Sequence, residues 1–344
     1  RANAAGSRAK LSIGRAMTLL ITGGGGFVMS HLVRTWLEAD GNAHVVVLDS
    51  SPIDALAEQF FAPVADRLDY IQADVLGGDA LANIAESRDI TRIVHGATIT
   101  SMRGEGGPNP DPRGLLAVNI QGTANLLQWA AGLKNLARFI HVSSGSVYGG
   151  GPVEGPVPEE GYVGPDGFYA LSKWASELVA SQYGVSYGLP VVSVRFSGVY
   201  GPMDRITHAR TVRCEPNRIA HLALAGETIK VNDMVGVGDW IHGADVARGL
   251  CCLLEARSPA HAVYNIAYGE LATIADLIAY TAEVVPGVRH EVVADAEANV
   301  LSDARRRKGR FGAYGIARMT DEIGWRPRPL RDAMHDYIAW LKET

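Results

Sequence analysis

Four consecutive glycines, Gly23 to Gly26, stand where the β-branched run Thr18-Leu19-Leu20-Ile21-Thr22 gives way to a helix-forming stretch that begins at Phe27. Few folds use such a junction. A strand that passes into a helix through glycine leaves backbone N–H groups and the positive helix end free, and the missing Cβ atoms let a phosphate approach the backbone. The feature predicts a dinucleotide pyrophosphate site opening a βαβ unit, with Gly23, Gly26, Phe27 and Val28 against the cofactor. Met29 departs from it, because that position ordinarily holds a small residue for close packing of helix on strand. Binding is expected to survive, with altered helix packing.

Downstream, short strand-like runs at 18–22, 44–49, 68–73, 92–97, 138–143 and 190–196 alternate with helical stretches beginning near Phe27, Pro52, Asp79, Asp111 and Phe168. This rhythm predicts an α/β fold, a Rossmann doubly wound parallel sheet over residues 17–198. After Phe196 the rhythm changes at Gly201-Pro202, which predicts a smaller C-terminal α/β substrate-binding lobe from 199–238 and 269–344. Residues 239–268 are expected to return to the sheet. Residues 1–16 hold four basic and no acidic residues and read as a disordered leader or expression scar, with a transit peptide as the alternative.

Charge and composition narrow the partners. The formal net charge is -5, and no apolar run approaches the roughly 20 residues that span a bilayer. Nucleic acid and membrane are therefore not expected, and a small molecule is. The three cysteines, Cys214, Cys251 and Cys252, have neither metal-site spacing nor the number for a disulfide framework. The expectation is a cytoplasmic protein with no metal, whose adjacent cysteines pack within the apolar run Leu250 to Leu254. The basic run from Arg305 to Arg310 reads as a solvated loop.

Asp49 ends the second strand, some twenty residues past the glycine loop, where a carboxylate accepts hydrogen bonds from ribose hydroxyls. Ser50 and Ser51 follow without a cation to neutralise a 2′-phosphate, so NAD is expected over NADP. Asp74, with Val75, ends the third strand, to meet the adenine or cap a helix.

Ser143-Ser144-Gly145-Ser146-Val147-Tyr148-Gly149 closes the fifth strand, and Tyr169-Ala170-Leu171-Ser172-Lys173 opens the next helix. Tyr169 and Lys173, four apart, share a helical face. A phenol with an ordinary pKa near 10 is a poor base, but a neighbouring ammonium favours its phenolate. Tyr169 can then take a hydroxyl proton as hydride leaves for NAD, with Ser144 on the same substrate oxygen. Thr100 and Ser146 join Arg205, Arg210 and Arg213 as substrate-side candidates.

With these motifs in hand, the chain resembles the extended short-chain dehydrogenase/reductases, the sugar-nucleotide epimerase and dehydratase group, over nearly all of residues 18–341. The resemblance rests on Thr22-Gly23 through Gly26-Phe27, Asp49, Asp74-Val75, His95 through Ala97, Asn119-Ile120-Gln121-Gly122-Thr123, Ser143-Ser144 with Val147-Tyr148-Gly149, and Tyr169 with Lys173. Val199-Tyr200-Gly201-Pro202, Asp239-Trp240-Ile241-His242 and Gly324-Trp325-Arg326-Pro327 complete it. It implies Ser144, Tyr169 and Lys173 as a catalytic triad supported by Asn119, Lys173 on the nicotinamide ribose, and His95, Ala97 and Thr98 lining the cofactor.

Three departures narrow the reaction. The 4,6-dehydratases of the group carry an acidic pair where this chain has Gly145 and Ser146, so dehydration is not expected. An Arg that grips the substrate diphosphate in the epimerases is Gly238 here, and an Asn before Val-Tyr-Gly-Pro is Gly198. Arg205, His208, Arg210 and Arg213 follow Gly201-Pro202 and offer a replacement for an anionic substrate; a solvated basic loop is the alternative. An epimerase or a net dehydrogenase acting on a sugar, polyol or sugar acid fits these residues, and a dinucleotide-sensing protein has no need of the triad. The resemblance also implies a homodimer, for which Leu115, Leu116, Val118, Leu126, Leu127 and Trp129 offer apolar surface.

Overall fold

The computed structural model describes residues 18–77, 81, 84, 89–100, 111–150, 155–207, 209–210, 213–302 and 312–344. The leader, the helix start at Asp79, His208 and the basic run 305–310 lie outside them. Apolar residues at successive strand positions face opposite sides of the sheet, so a strand buried on both faces reads as an unbroken apolar run. In β1 (Thr18–Thr22) Leu19 and Ile21 pack with α1 (Phe27–Ala39) on one face, while Leu20 joins the core of the other. β2 (His44–Asp49) divides likewise: Val45 and Val47 on one side, Val46 and Leu48 on the other.

The sheet continues through β3 (Leu68–Gln72), β4 (Ile90–His95), β5 (Arg138–Val142) and β6 (Val191–Phe196). Helix α2 (Ala55–Phe61) starts three residues after Pro52, because the Asp54 side chain caps it on Ala57 N. Helices α3 (Pro112–Leu116) and α4 (Thr123–Ala130) flank a π-helical turn, Ala117–Gly122, and α5 (Phe168–Tyr187) precedes β6.

Beyond β6 the expectation for 239–268 needs correction. β7 (Gly198–Tyr200) pairs with β10 (Trp240–His242) in a separate two-stranded sheet. α7 (Gly243–Glu255), which follows the ten-residue α6 (Glu215–Leu224) and the short strands β8 (Ile229–Val231) and β9 (Val237–Gly238), packs on α1. Only β11 (Val263–Ile266) joins the main sheet. The seven strands run β11-β6-β5-β4-β1-β2-β3, all parallel, so the winding reverses at β1. A crevice forms at such a point beyond the strands' C-terminal ends, where the glycine run, Asp49, Ala97 and Ser144 emerge.

A second core joins Tyr200, Ile219 and Trp240 to α8 (Ile274–Val284) and α9 (Leu330–Glu343). Met319 and Trp325, placed by sequence in the lobe, pack instead into the core beneath α1. Cys251 and Cys252 lie partly buried against that same core.

Candidate active site

Gly23 takes φ +71°, a left-handed conformation that favours glycine, and a Cβ there would lie 2.9 Å from Ala97 N. Gly26 caps α1 with no side-chain hydrogen bond and no acidic residue in the first turn, which leaves the helix end available to an anion. Asp49 Oδ2 accepts Gly25 N at 3.0 Å and Oδ1 accepts Ser51 N at 3.0 Å, fixing the carboxylate beside the loop. Asp74 Oδ1 closes a turn on Leu76 N, and with Val75 it lines the cleft. Met29 keeps close packing through a glycine opposite: a Cβ at Gly96 would lie 2.6 Å from Met29 Sδ.

Phe27, Val28, Ala97, Thr98, Thr100, Ser144, Ser146, Tyr169 and Lys173 line one continuous cleft with the glycine loop and Asp49. Ser144 caps the helical turn Gly145–Tyr148 through Ser146 N and lines the cleft with Tyr169. Burial pushes the Tyr169 phenol upward in pKa; the neighbouring Ser144 hydroxyl and the Arg210 charge oppose it. Lys173 is 2% exposed, and burial pulls its ammonium down to about 8 against the opposing charge of Glu177. Glu177 is clamped in turn by Arg195, whose Nε donates to Oε2 at 3.0 Å.

Asn119, fully buried, supports rather than lines the cleft. Its Nδ2 donates to Ile99 O at 3.0 Å and Ser172 Oγ at 2.9 Å, and its Oδ1 accepts Thr98 Oγ1 and Ile99 N. The π-helical turn turns this amide inward, and it ties the loop after β4 to the Tyr169 helix. His95 requires correction: its ring lies beneath the cleft floor between Thr22 Oγ1 at 2.7 Å and Thr123 Oγ1 at 2.9 Å, and burial pulls it down to about 3. A strand end fixes the edge of a sheet but not the face, and His95 points inward.

The three arginines line the cleft at different places. Arg205 reaches the glycine loop, donating from Nη2 to Gly25 O at 3.2 Å and pairing with Asp54 at 2.7 Å. This corrects both its placement on the substrate side and the expectation that no cation approaches the Asp49 end. Arg210 pairs with Asp204 beside Phe27, and Arg213 carries a buried Nε with no partner among the described residues.

The departures each have a packing cause. A Cβ on Gly145 would lie 2.5 Å from Tyr314 Cζ, so the Tyr314 ring fills the place of a side chain. Trp240, fully buried, lies between the other two: a Cβ on Gly238 would lie 2.5 Å from its ring, and one on Gly198 2.9 Å from its Cδ1. Its Nε1 donates to Glu215 Oε2 at 3.2 Å, and Glu215 lines the cleft. Ser172, Tyr314 and Glu177 were not identified from sequence as site residues; the spacing of Glu177 four after Lys173 was the one local signal.

Among the described residues no His, Cys, Asp and Glu side chains gather as a metal site, and no helix is long and apolar enough to cross a membrane. Residues 19–267 match the NAD dependent epimerase/dehydratase family. The chain is 29% identical over 342 residues to a dTDP-glucose 4,6-dehydratase of Actinoplanes sp., covering 95% of this chain and 98% of the relative. It is 29% identical over 339 residues to the GDP-6-deoxy-D-mannose reductase of Pseudomonas aeruginosa, covering 94% and 98%. The UDP-glucuronic acid 4-epimerase of Bacillus cereus superposes with a TM-score of 0.76 at 24% identity, covering 95% of this chain and 99% of that one. A dTDP-glucose 4,6-dehydratase of Streptomyces venezuelae, solved with NAD, superposes at 0.73 with 28% identity, covering 95% and 98%.

Proposed function

We infer, from the premise that the chain belongs to the NAD dependent epimerase/dehydratase family, that it oxidises a secondary alcohol of a sugar nucleotide or sugar derivative, with Tyr169 as the base. The observation that carries the reading is the gathering of Ser144, Tyr169 and Lys173 in the same cleft as the glycine loop and Asp49. The cofactor is NAD, and the loop, Asp49 and Lys173 fit it. Bound there, NAD supplies a hydride acceptor.

Ser144 and Tyr169 converge on the substrate oxygen. Tyr169 removes the hydroxyl proton while the Lys173 ammonium favours the phenolate, and Asn119 holds the loop carrying Thr98 against their helix. If the keto sugar stays bound and turns before hydride returns, the product is an epimer; if it leaves, the enzyme is a dehydrogenase. Epimerisation is the reading preferred here, because retention of the keto intermediate until hydride returns is the family's common outcome. Dehydration needs an acid beside the sugar, and Tyr314 occupies the space that an acidic side chain at position 145 would need.

The partner proposed besides substrate is a second copy. Leu126 and Leu127, offered by sequence for this face, are buried against the sheet. Leu171, Leu178 and Val185, at seven-residue spacing along α5, are exposed instead. A panel of nucleotide sugars, free aldoses and sugar acids, read for NADH release and product stereochemistry, tests the activity. Tyr169→Phe is expected to lower turnover by about two to four orders of magnitude with little change in NAD affinity; near-full activity would overturn the assignment.

A further inference from the structure

Arg195 stands outside the cleft lining, yet it joins the two segments that carry Ser144, Tyr169 and Lys173. Its side chain, on β6, is buried, and each nitrogen of the guanidinium donates: Nε to Glu177 Oε2 at 3.0 Å, Nη2 to Glu177 Oε1 at 2.5 Å and Nη1 to Glu159 O at 2.9 Å. Glu177 follows Lys173 by four positions on α5, one helical turn along the same face, and both are buried. The fork therefore grips the helix on the face that carries the lysine. Its guanidinium carbon stands 5.7 Å from the ring centroid of Trp174, the residue after Lys173, and 4.8 Å from that of Tyr148. Tyr148 closes the short helical turn that Ser144 caps. The Tyr148 hydroxyl donates to Asn265 Oδ1 at 2.7 Å, and Asn265 on β11 is the cross-strand neighbour of Arg195. Two adjacent strands thus hold Tyr148 by ring and hydroxyl, and the tight turn passes that placement back to Ser144.

A buried ion pair is weak evidence for stability, because apolar residues of similar volume fill a core as well. What they lack is direction: a planar fork with a bidentate carboxylate fixes angle as well as distance. We propose that Arg195 is a positioning residue for the reaction, holding the Ser144 turn in register with the Tyr169–Lys173 helix through Tyr148 on one side and Glu177 on the other. The proposal rests on Ser144, Tyr169 and Lys173 being the reacting set, and it adds a residue that touches neither substrate nor cofactor. Such a residue acts on the chemical step and leaves binding alone, since reacting groups tolerate little misplacement.

The test replaces the pair together, Arg195→Met with Glu177→Leu, so that neither charge is left buried alone. Rates are measured on the intact enzyme with the best substrate of the panel above, per NAD-loaded subunit and below the onset of unfolding, which keeps any loss of folded protein out of kcat. The expected result is a fall in kcat of about 10- to 100-fold, with KM and NAD affinity little changed. Arg195→Lys keeps a charge opposite Glu177 but cannot also reach Glu159 O and lie flat on the Tyr148 ring, so its kcat should fall between wild type and the double variant. If the double variant does not fold, Arg195→Lys decides the question alone. Adding Tyr148→Leu to Arg195→Lys should cost less than the sum of the two single losses, because both break one link. Wild-type kcat per loaded subunit in whichever of these variants folds, a change confined to KM, or strict additivity with Tyr148→Leu overturns the proposal. Tyr169→Phe separates the two claims: activity surviving there removes the reacting set and this proposal with it, whereas activity lost there but indifferent to Arg195 removes this proposal alone.

Discussion

Gly145 and Tyr314 leave no room between them for a side chain: a Cβ on the glycine would lie 2.5 Å from Cζ of the tyrosine ring and 2.6 Å from its Oη. The ring cannot easily retreat, because it packs against Tyr148 at 5.4 Å and its backbone N–H donates to the buried Asp239 at 3.0 Å. Gly145→Asp should therefore destabilise the protein by roughly 1–3 kcal/mol through overpacking. Pairing it with Tyr314→Ala should recover much of the loss. Thermal unfolding of the single and double variants checks the coupling, and additive effects would refute it.

Asp49 and the Asp54–Arg205 pair both contact the glycine loop region, and we propose that their balance sets cofactor choice. Asp49→Ala removes the acceptor of Gly25 N and Ser51 N, so NAD affinity should fall about 10-fold, the order of one lost hydrogen bond to a charged group. Adding Asp54→Asn removes the carboxylate that compensates Arg205 and should raise affinity for NADP. Titration of both dinucleotides against the double variant measures this; unchanged discrimination would contradict it.

Ser172→Ala deletes one hydrogen bond to Asn119 and should lower kcat/KM about 3- to 10-fold with little change in Tm. Asn119→Ala strands the Ile99 N–H as well, so it should lower both. If Ser172→Ala left the kinetics intact, the link between the loop and the Tyr169 helix would have no part in turnover.

Acid should unfold the protein steeply. Burial pulls His31 to about 4, His95 to about 3 and both His141 and His242 well below their ordinary value. These rings stay neutral in the folded state and gain protons below pH 6.5 once unfolded, so stability falls with pH. Asp239 acts in the opposite direction. Burial lifts it to about 6 from 3.8, so the folded protein binds its proton first and gains stability between those values. Four such rings outweigh the one carboxyl, so stability should fall as the pH is lowered from 6 to 4. Urea midpoints across that range measure it, and a flat profile would contradict the buried neutral histidines.

Local pattern made much of the sheet legible. The apolar run before Gly23 marked β1, and the punctuation before Phe27 and Phe168 marked two helix starts, because strand, turn and cap chemistry act over a few residues. The same pattern brought the glycine loop, Asp49 and Ser144 to one edge. Contacts across the chain were not legible. Nothing near Arg205 announces Gly25, 180 positions earlier, and nothing near Gly145 announces Tyr314. Nor did spacing separate Arg210 from its neighbours, since that depended on the buried partner Asp204.

Trp240 also fixes an order of change. Positions 198 and 238 meet the same indole ring, so neither can gain a side chain while the tryptophan remains. Replacing the tryptophan first would open a void and leave Glu215 without its indole donor. A lineage passing between this arrangement and one with larger residues at 198 and 238 must cross a less stable intermediate, with position 240 changing before the other two. The three positions are therefore sterically coupled, and a designer who wishes to graft a side chain at either glycine has to begin with the tryptophan.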